Sequence, residues 1–106
     1  MLQEIDRQAV LEFRSRLAEI TAIVELRVFG SRARGDETEE SDLDLFVKVM
    51  ELSRSLREQI YDLAWEIGFK YDRVISTFVV TEAQVKEGAV GASPLLSKVL
   101  TEGIIV

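Results

Sequence analysis

Histidine and cysteine are both absent from this chain of 106 residues. Without histidine there is no Ser-His-Asp triad, no Cys-His dyad and no imidazole general base. Without either residue there is no structural zinc site, no haem held by His or Cys and no iron–sulfur cluster. Without cysteine no disulfide forms, so the fold rests on its core. Positive charge is also in deficit. Thirteen Lys and Arg face 19 Asp and Glu, for a formal net charge of −6. Strong binding to nucleic acid or to an anionic membrane is therefore not expected, because both call for net positive surface. No apolar run approaches the roughly 20 residues of a membrane span. The start, Met1-Leu2-Gln3-Glu4, is too polar for a signal peptide, so the cytoplasm is the expected compartment. Chemistry is left to carboxylates, hydroxyls, Lys and Arg. Carboxylate oxygens are hard ligands that suit Mg²⁺, Mn²⁺ or Ca²⁺.

A chain of this length is normally one domain, expected here over residues 1–106. Residues 3–20 read as an amphipathic helix, with Leu2, Ile5, Ala9, Phe13, Leu17 and Ile20 at steps of three and four. Residues 23–29 read as a strand ended by Gly30, and residues 31–41 as a loop or short turn. Residues 42–49 alternate most cleanly: Leu43, Leu45, Val47 and Val49 take one face and Asp42, Asp44, Phe46 and Lys48 the other. A second helix is expected over 51–67, its apolar side formed by Leu52, Leu56, Ile60, Leu63 and Ile67, with Gly68 as its stop. A third strand covers 72–80. Thr81 and Gln84 then make a capping box for a short helix to about Lys86, followed by a glycine-containing loop over 87–92. Ser93 caps a last helix that has Pro94 at its first position and Gly103 past its end, and Ile104 to Val106 add an edge strand or dock on the core. The order predicts an α/β sandwich with helices packed on a small mixed sheet.

The informative stretch runs from Val28-Phe29-Gly30-Ser31-Arg32-Ala33-Arg34-Gly35 to Ser41-Asp42-Leu43-Asp44-Leu45. On a strand, residues i and i+2 point the same way about 7 Å apart, so the carboxylates of Asp42 and Asp44 converge. They repel each other, and a divalent ion relieves that repulsion while bridging triphosphate oxygens. Gly30 lets a phosphate approach the backbone, and the amides after it and the Ser31 hydroxyl can donate to phosphate oxygens. Arg32 and Arg34 add positive charge of a geometry that suits phosphate. Taken one at a time, these features have bland readings: a turn glycine, solvated aspartates, an acidic loop. The stretch fits neither an EF-hand loop nor a Walker A loop.

The order hydrophobic-Gly-Ser, ten intervening residues, then Asp-hydrophobic-Asp-hydrophobic resembles the signature of the DNA polymerase beta-type nucleotidyltransferase superfamily. The words Gly30-Ser31-Arg32-Ala33-Arg34-Gly35 and Ser41-Asp42-Leu43-Asp44-Leu45 look most like its minimal nucleotidyltransferases, many of which pair with a HEPN-domain partner in toxin–antitoxin modules. The resemblance implies an α+β, palm-like fold with a small mixed sheet flanked by helices. It implies nucleotide binding by Gly30, Ser31 and Arg32. Asp42 and Asp44 would be the catalytic metal ligands, with Mg²⁺ or Mn²⁺ as cofactor. ATP or another nucleoside triphosphate would be the substrate. A hydroxyl would attack the α-phosphorus, pyrophosphate would leave, and an adenylate would pass to the acceptor. The implied acceptor side is a HEPN-type partner protein or a second copy, since the chain is too short to carry an acceptor-binding domain.

The family pattern also has a third carboxylate on the strand after the second helix. Here Asp72 is the only carboxylate in that region, beside Arg73 where an apolar residue is expected, and Ser76 and Thr77 occupy the strand's centre. Asp72 is either the third ligand or a strand-entry residue paired with a cation. An alternative register of that strand puts Ser76 at the catalytic position, which would make the chain a weak or inactive enzyme that serves as a binding or antitoxin module.

Overall fold

The computed structural model describes residues 2–106, and of Ala89 the backbone alone. Met1, which opens the N-terminal stretch read above, lies outside the described residues. Helix α1 spans Glu4–Ala18, and its core side is Asp6, Ala9, Val10, Phe13 and Leu17. This stripe is rotated from the one expected: Ile5 and Ile20 are 47% and 40% exposed, while Asp6 is fully buried. Strand β1, Ile23–Phe29, leads into the short helix α2, Gly30–Arg34. Strand β2, Leu43–Val49, pairs antiparallel with β1. The leucines and valines of β2 point to one side as the alternation requires, and all are buried.

Helix α3 runs over Arg54–Tyr71, three residues later at its start and four later at its end than expected. Ser53 caps it by accepting from the Leu56 amide. Gly68 does not stop it. The termination lies further on, where Asp72 adopts the left-handed conformation (φ 55°) and the Arg73 amide bonds back to the Gly68 carbonyl at 2.8 Å. This is a Schellman-type ending with an aspartate in the position usually taken by glycine or asparagine. Glycine is needed at 68 for another reason. A Cβ there would stand 2.5 Å from the Arg73 carbonyl oxygen, because the chain folds back over the helix.

Strand β3 is Ile75–Thr81, so the expected third strand loses its first three residues to the helix ending. The Thr81–Gln84 capping box forms and starts helix α4, Glu82–Glu87. A 3₁₀ turn at Ala89–Ala92 precedes helix α5, Pro94–Glu102, which carries the Ser93 cap and N-terminal proline as read from the sequence. Ile104–Ile105 form β4 against β1.

The sheet order is β3-β2-β1-β4, with β2 and β3 parallel and the other pairs antiparallel. Helices α1 and α3 cover one face, through a cluster that includes Phe13, Leu17, Leu26, Leu45, Ile60 and Ile67. On the other face α5 covers only part, through Phe46, Val80, Leu96 and Val99. The result is a small mixed α+β fold with a four-stranded sheet flanked by helices. The uncovered part of the second face carries Asp44, and Asp42 lies in the loop just before β2. Among the described residues no helix is long and apolar enough to cross a membrane.

Candidate active site

The site forms where β1 ends and β2 begins. Phe29 and Asp44 are register partners across the two strands. Gly30 follows with φ of +77°, which lets the chain turn out of the sheet into α2. A Cβ on Gly30 would fall 2.2 Å from Oδ2 of Asp44, so the glycine backbone lies directly against this carboxylate. Only glycine meets both demands, the left-handed turn and the close approach. Gly35, with φ of +85°, closes α2 one turn later.

Asp44 is half-buried on the sheet face opposite the leucine core, and Asp42 is exposed in the loop immediately before β2, close enough for its charge to act on Asp44. Burial pushes the Asp44 carboxyl up from its ordinary value of 3.8. The charge of Asp42 raises it further, and Arg34 opposes both. Folding therefore favours the protonated form of Asp44. Below about pH 3.8 both the folded and unfolded chains hold the proton and nothing is lost. As pH rises through the raised folded value, ionisation costs stability. Asp44→Asn is expected to melt higher than the parent at pH 8 in a chelator-containing buffer, with the gain vanishing towards pH 4. Thermal unfolding at the two pH values checks this, and an equal difference at both would show that Asp44 carries no repulsive charge.

The two arginines divide their labour. Arg34 is the exposed one. It pairs with Asp36 and Glu102 at 3.3 and 3.4 Å, and it is the cation whose field reaches Asp44. Arg32, expected to touch nucleotide, is instead 2% exposed and turned inward. Its Nη1 donates to the Asp6 carboxylate at 3.0 Å, its Nε to the Ser41 carbonyl at 2.9 Å and its Nη2 to the Thr38 carbonyl at 3.3 Å. Asp6 also accepts from Arg73 Nε at 2.8 Å. Arg32 therefore ties α2, which begins with Gly30-Ser31, to the loop that delivers Asp42. Sequence reading missed Asp6, because an aspartate between the apolar positions of an amphipathic helix looks solvated.

The register of β3 locates the neighbour of Asp44. Ser76 is its partner on the parallel strand, about 5 Å away at ordinary strand spacing, and stands on the same face. Asp72 lies before the strand, held as the helix ending. Among the described residues no group of three carboxylates gathers at one point. The donor set at the candidate site is thus two carboxylates, two hydroxyls (Ser31 and Ser76) and the backbone around Gly30. Two neighbouring carboxylates where β2 begins, one of them against the Gly30 backbone, are oxygen donors of the kind that fits a hard divalent cation.

A family profile described as the nucleotidyltransferase domain matches residues 8–104. The chain belongs to this family. The nucleotidyltransferase is also similar to a Methanocaldococcus jannaschii protein named "putative protein adenylyltransferase", with 40% identity over 53 residues. That match spans 49% of this chain and only 54% of the relative. A solved structure described as a "putative minimal nucleotidyltransferase" is 31% identical, covers 100% of this chain and 97% of its own, and superposes with a TM-score of 0.65. A chain from the Shewanella oneidensis complex of a tri-AMPylated HEPN toxin with its MNT antitoxin superposes with a TM-score of 0.60. It covers 98% of this chain and 71% of its own at 18% identity, which shows a shared fold.

Proposed function

We propose that this nucleotidyltransferase moves AMP from ATP onto a hydroxyl of a partner protein, with Mg²⁺ or Mn²⁺ held by Asp42 and Asp44. One observation carries the reading: the charges of Asp42 and Asp44 act on each other where β2 begins, and Asp44 lies against the backbone of Gly30. The bound cation would supply charge neutralisation for the triphosphate. Gly30 admits the phosphates, and the Ser31 hydroxyl donates to them. Arg34, the exposed cation near Asp44, adds attraction. Arg32 acts as a positioning residue that fixes the distance between the phosphate-binding turn and Asp42. The acceptor hydroxyl attacks the α-phosphorus and gives up its proton to water, the bond from the α-phosphorus to the oxygen bridging the β-phosphate breaks, and pyrophosphate leaves with the electron pair. Adenylyl transfer to a protein is supported by the name of the Methanocaldococcus relative and by the AMPylated toxin in the Shewanella complex. A HEPN-type protein is the partner class that the second of these supports, and a second copy of this chain is the alternative acceptor.

The test is transfer of label from α-labelled ATP to a co-expressed partner with Mg²⁺ present. Asp44→Ala is expected to lower the rate by at least about 10²-fold, since losing a metal ligand removes several kcal/mol of charge stabilisation. Transfer that Asp44→Ala leaves intact would refute the reading.

The side chain beside Asp44, Ser76, favours a second reading: a nucleotide-binding module that neutralises its partner by contact. Partner binding that survives Asp42→Ala/Asp44→Ala, with no turnover by the parent, would select it over the first.

A further inference from the structure

Beside the candidate site lies a groove of about 1040 Å³ that none of the roles above uses. One wall is α3, whose Tyr61, Trp65 and Phe69 stand at i, i+4 and i+8 on one side of the helix. They are 60%, 65% and 86% exposed, so a ridge of three large aromatic side chains faces solvent. The Trp65 indole N–H donates to the Tyr61 hydroxyl at 3.2 Å, which joins two of them into one surface. The floor is Val74 and the start of β3, from Ile75 to Thr77. This strand is the edge of the sheet, so its outer backbone groups have no strand partner among the described residues. The far wall is acidic: Glu39, Glu40 and Asp42 from the loop, with Asp72 at the helix ending. The single cation lining the groove, Arg73, is held by Asp6. Asp42 and Ser76 line this groove and Ser76 is the strand neighbour of Asp44, so the groove adjoins the candidate metal site.

We propose that this groove docks the acceptor as an extended, basic protein segment, which adds a strand to the free edge of β3 and rests apolar side chains on the aromatic ridge. This rests on the reading of Asp42 and Asp44 as the transfer site. Three physical features select the occupant. An open strand edge offers main-chain hydrogen bonds to an extended chain. Exposed tyrosine and tryptophan supply rigid contact area at low entropy cost. The carboxylate wall attracts Lys and Arg, and it disfavours a second copy, which would bring the same carboxylates to a symmetric seam. A segment lying along β3 passes Ser76 and Asp42, which brings a side-chain hydroxyl to the face where the nucleotide binds.

Trp65 is the only tryptophan in the chain, so its emission reports on this groove alone. The probe is the random copolymer poly(Lys,Tyr), with poly(Glu,Tyr) as control, excited at the tryptophan edge. Poly(Lys,Tyr) is expected to change Trp65 emission saturably and poly(Glu,Tyr) to leave it unchanged. Tyr61→Ser/Phe69→Ser, at exposed positions, is expected to weaken the response at least tenfold while the melting temperature holds. No response to poly(Lys,Tyr), an equal response in the double variant, or the same change with Mg²⁺-ATP alone would overturn the proposal. So would a concentration-dependent dimer that the double variant abolishes, since a second copy would then fill the groove. Calorimetry with Mg²⁺-ATP runs in parallel. Nucleotide binding without a copolymer response defeats the docking inference alone, whereas absent nucleotide binding defeats the transfer reading on which it stands.

Discussion

Asp6→Ala is expected to destabilise the chain by about 3–5 kcal/mol, the cost of stranding buried charge. The Asp6 carboxylate is fully buried and takes one guanidinium on each oxygen, Arg32 at 3.0 Å and Arg73 at 2.8 Å. Removing it leaves Arg32, 2% exposed, without a counter-charge. The loss is a large share of the 5–15 kcal/mol that holds a domain of this kind together, and corresponds to roughly 4–8 °C of melting temperature per kcal/mol. Urea unfolding of parent and variant checks it, and a loss below about 1 kcal/mol would remove the network from the account. A second readout separates positioning from bulk stability. Arg32→Lys keeps a positive charge near Asp6 but gives up the fork that reaches the carbonyls of Ser41 and Thr38. It is expected to weaken Mg²⁺-ATP binding under conditions where the variant is fully folded, because the loop before Asp42 is freed. Unchanged binding in folded Arg32→Lys would show that the brace serves stability alone.

Ser76→Asp is expected to raise the rate of nucleotide transfer, by about 10²-fold if the new carboxylate acts as a positioned base towards the acceptor hydroxyl. Ser76 is exposed and stands beside Asp44 in the parallel register, so the substitution meets no packing barrier. The same change is expected to lower the melting temperature in chelator, since three carboxylates then share one face. Divalent ion should reverse that loss, with the ion-induced rise exceeding the parent's. Asp72→Asn supplies the contrast. Asp72 ends α3 in the left-handed region, which asparagine tolerates equally, so transfer should be unaffected. If Asp72→Asn abolishes transfer and Ser76→Asp does nothing, the register argument fails and Asp72 is the third ligand.

Much of the fold follows from local signals. The period-two run of β2, the 3.6-residue period of α3, the Thr81–Gln84 box and the Ser93-Pro94 start all appear where their patterns place them. Each depends on side chains within one or two turns of each other. Boundaries fail where a distant segment intervenes. Gly68 looks like a helix stop, yet the returning chain needs the space above it and the helix runs on to Tyr71. Asp6 looks solvated, yet two arginines from other elements meet it under the helix.

By itself the sequence determined the chemistry available to this protein. A chain without histidine or cysteine has only oxygen ligands and cations to work with, and Gly30-Ser31 followed by Asp42 and Asp44 at the start of an alternating strand marks those two carboxylates as the candidates. Tertiary structure alone decided which charges remain for the site. It buried Arg32 and left Arg34 outside, because satisfying Asp6 and two loop carbonyls in the interior requires the guanidinium fork. It set Ser76 beside Asp44 and kept Asp72 off the strand, because parallel register is fixed by core packing and by where α3 ends. It also left Tyr61, Trp65 and Phe69 in solvent along an open strand edge. Helical spacing shows that these three share a face, but what lies opposite that face depends on elements far away in the chain.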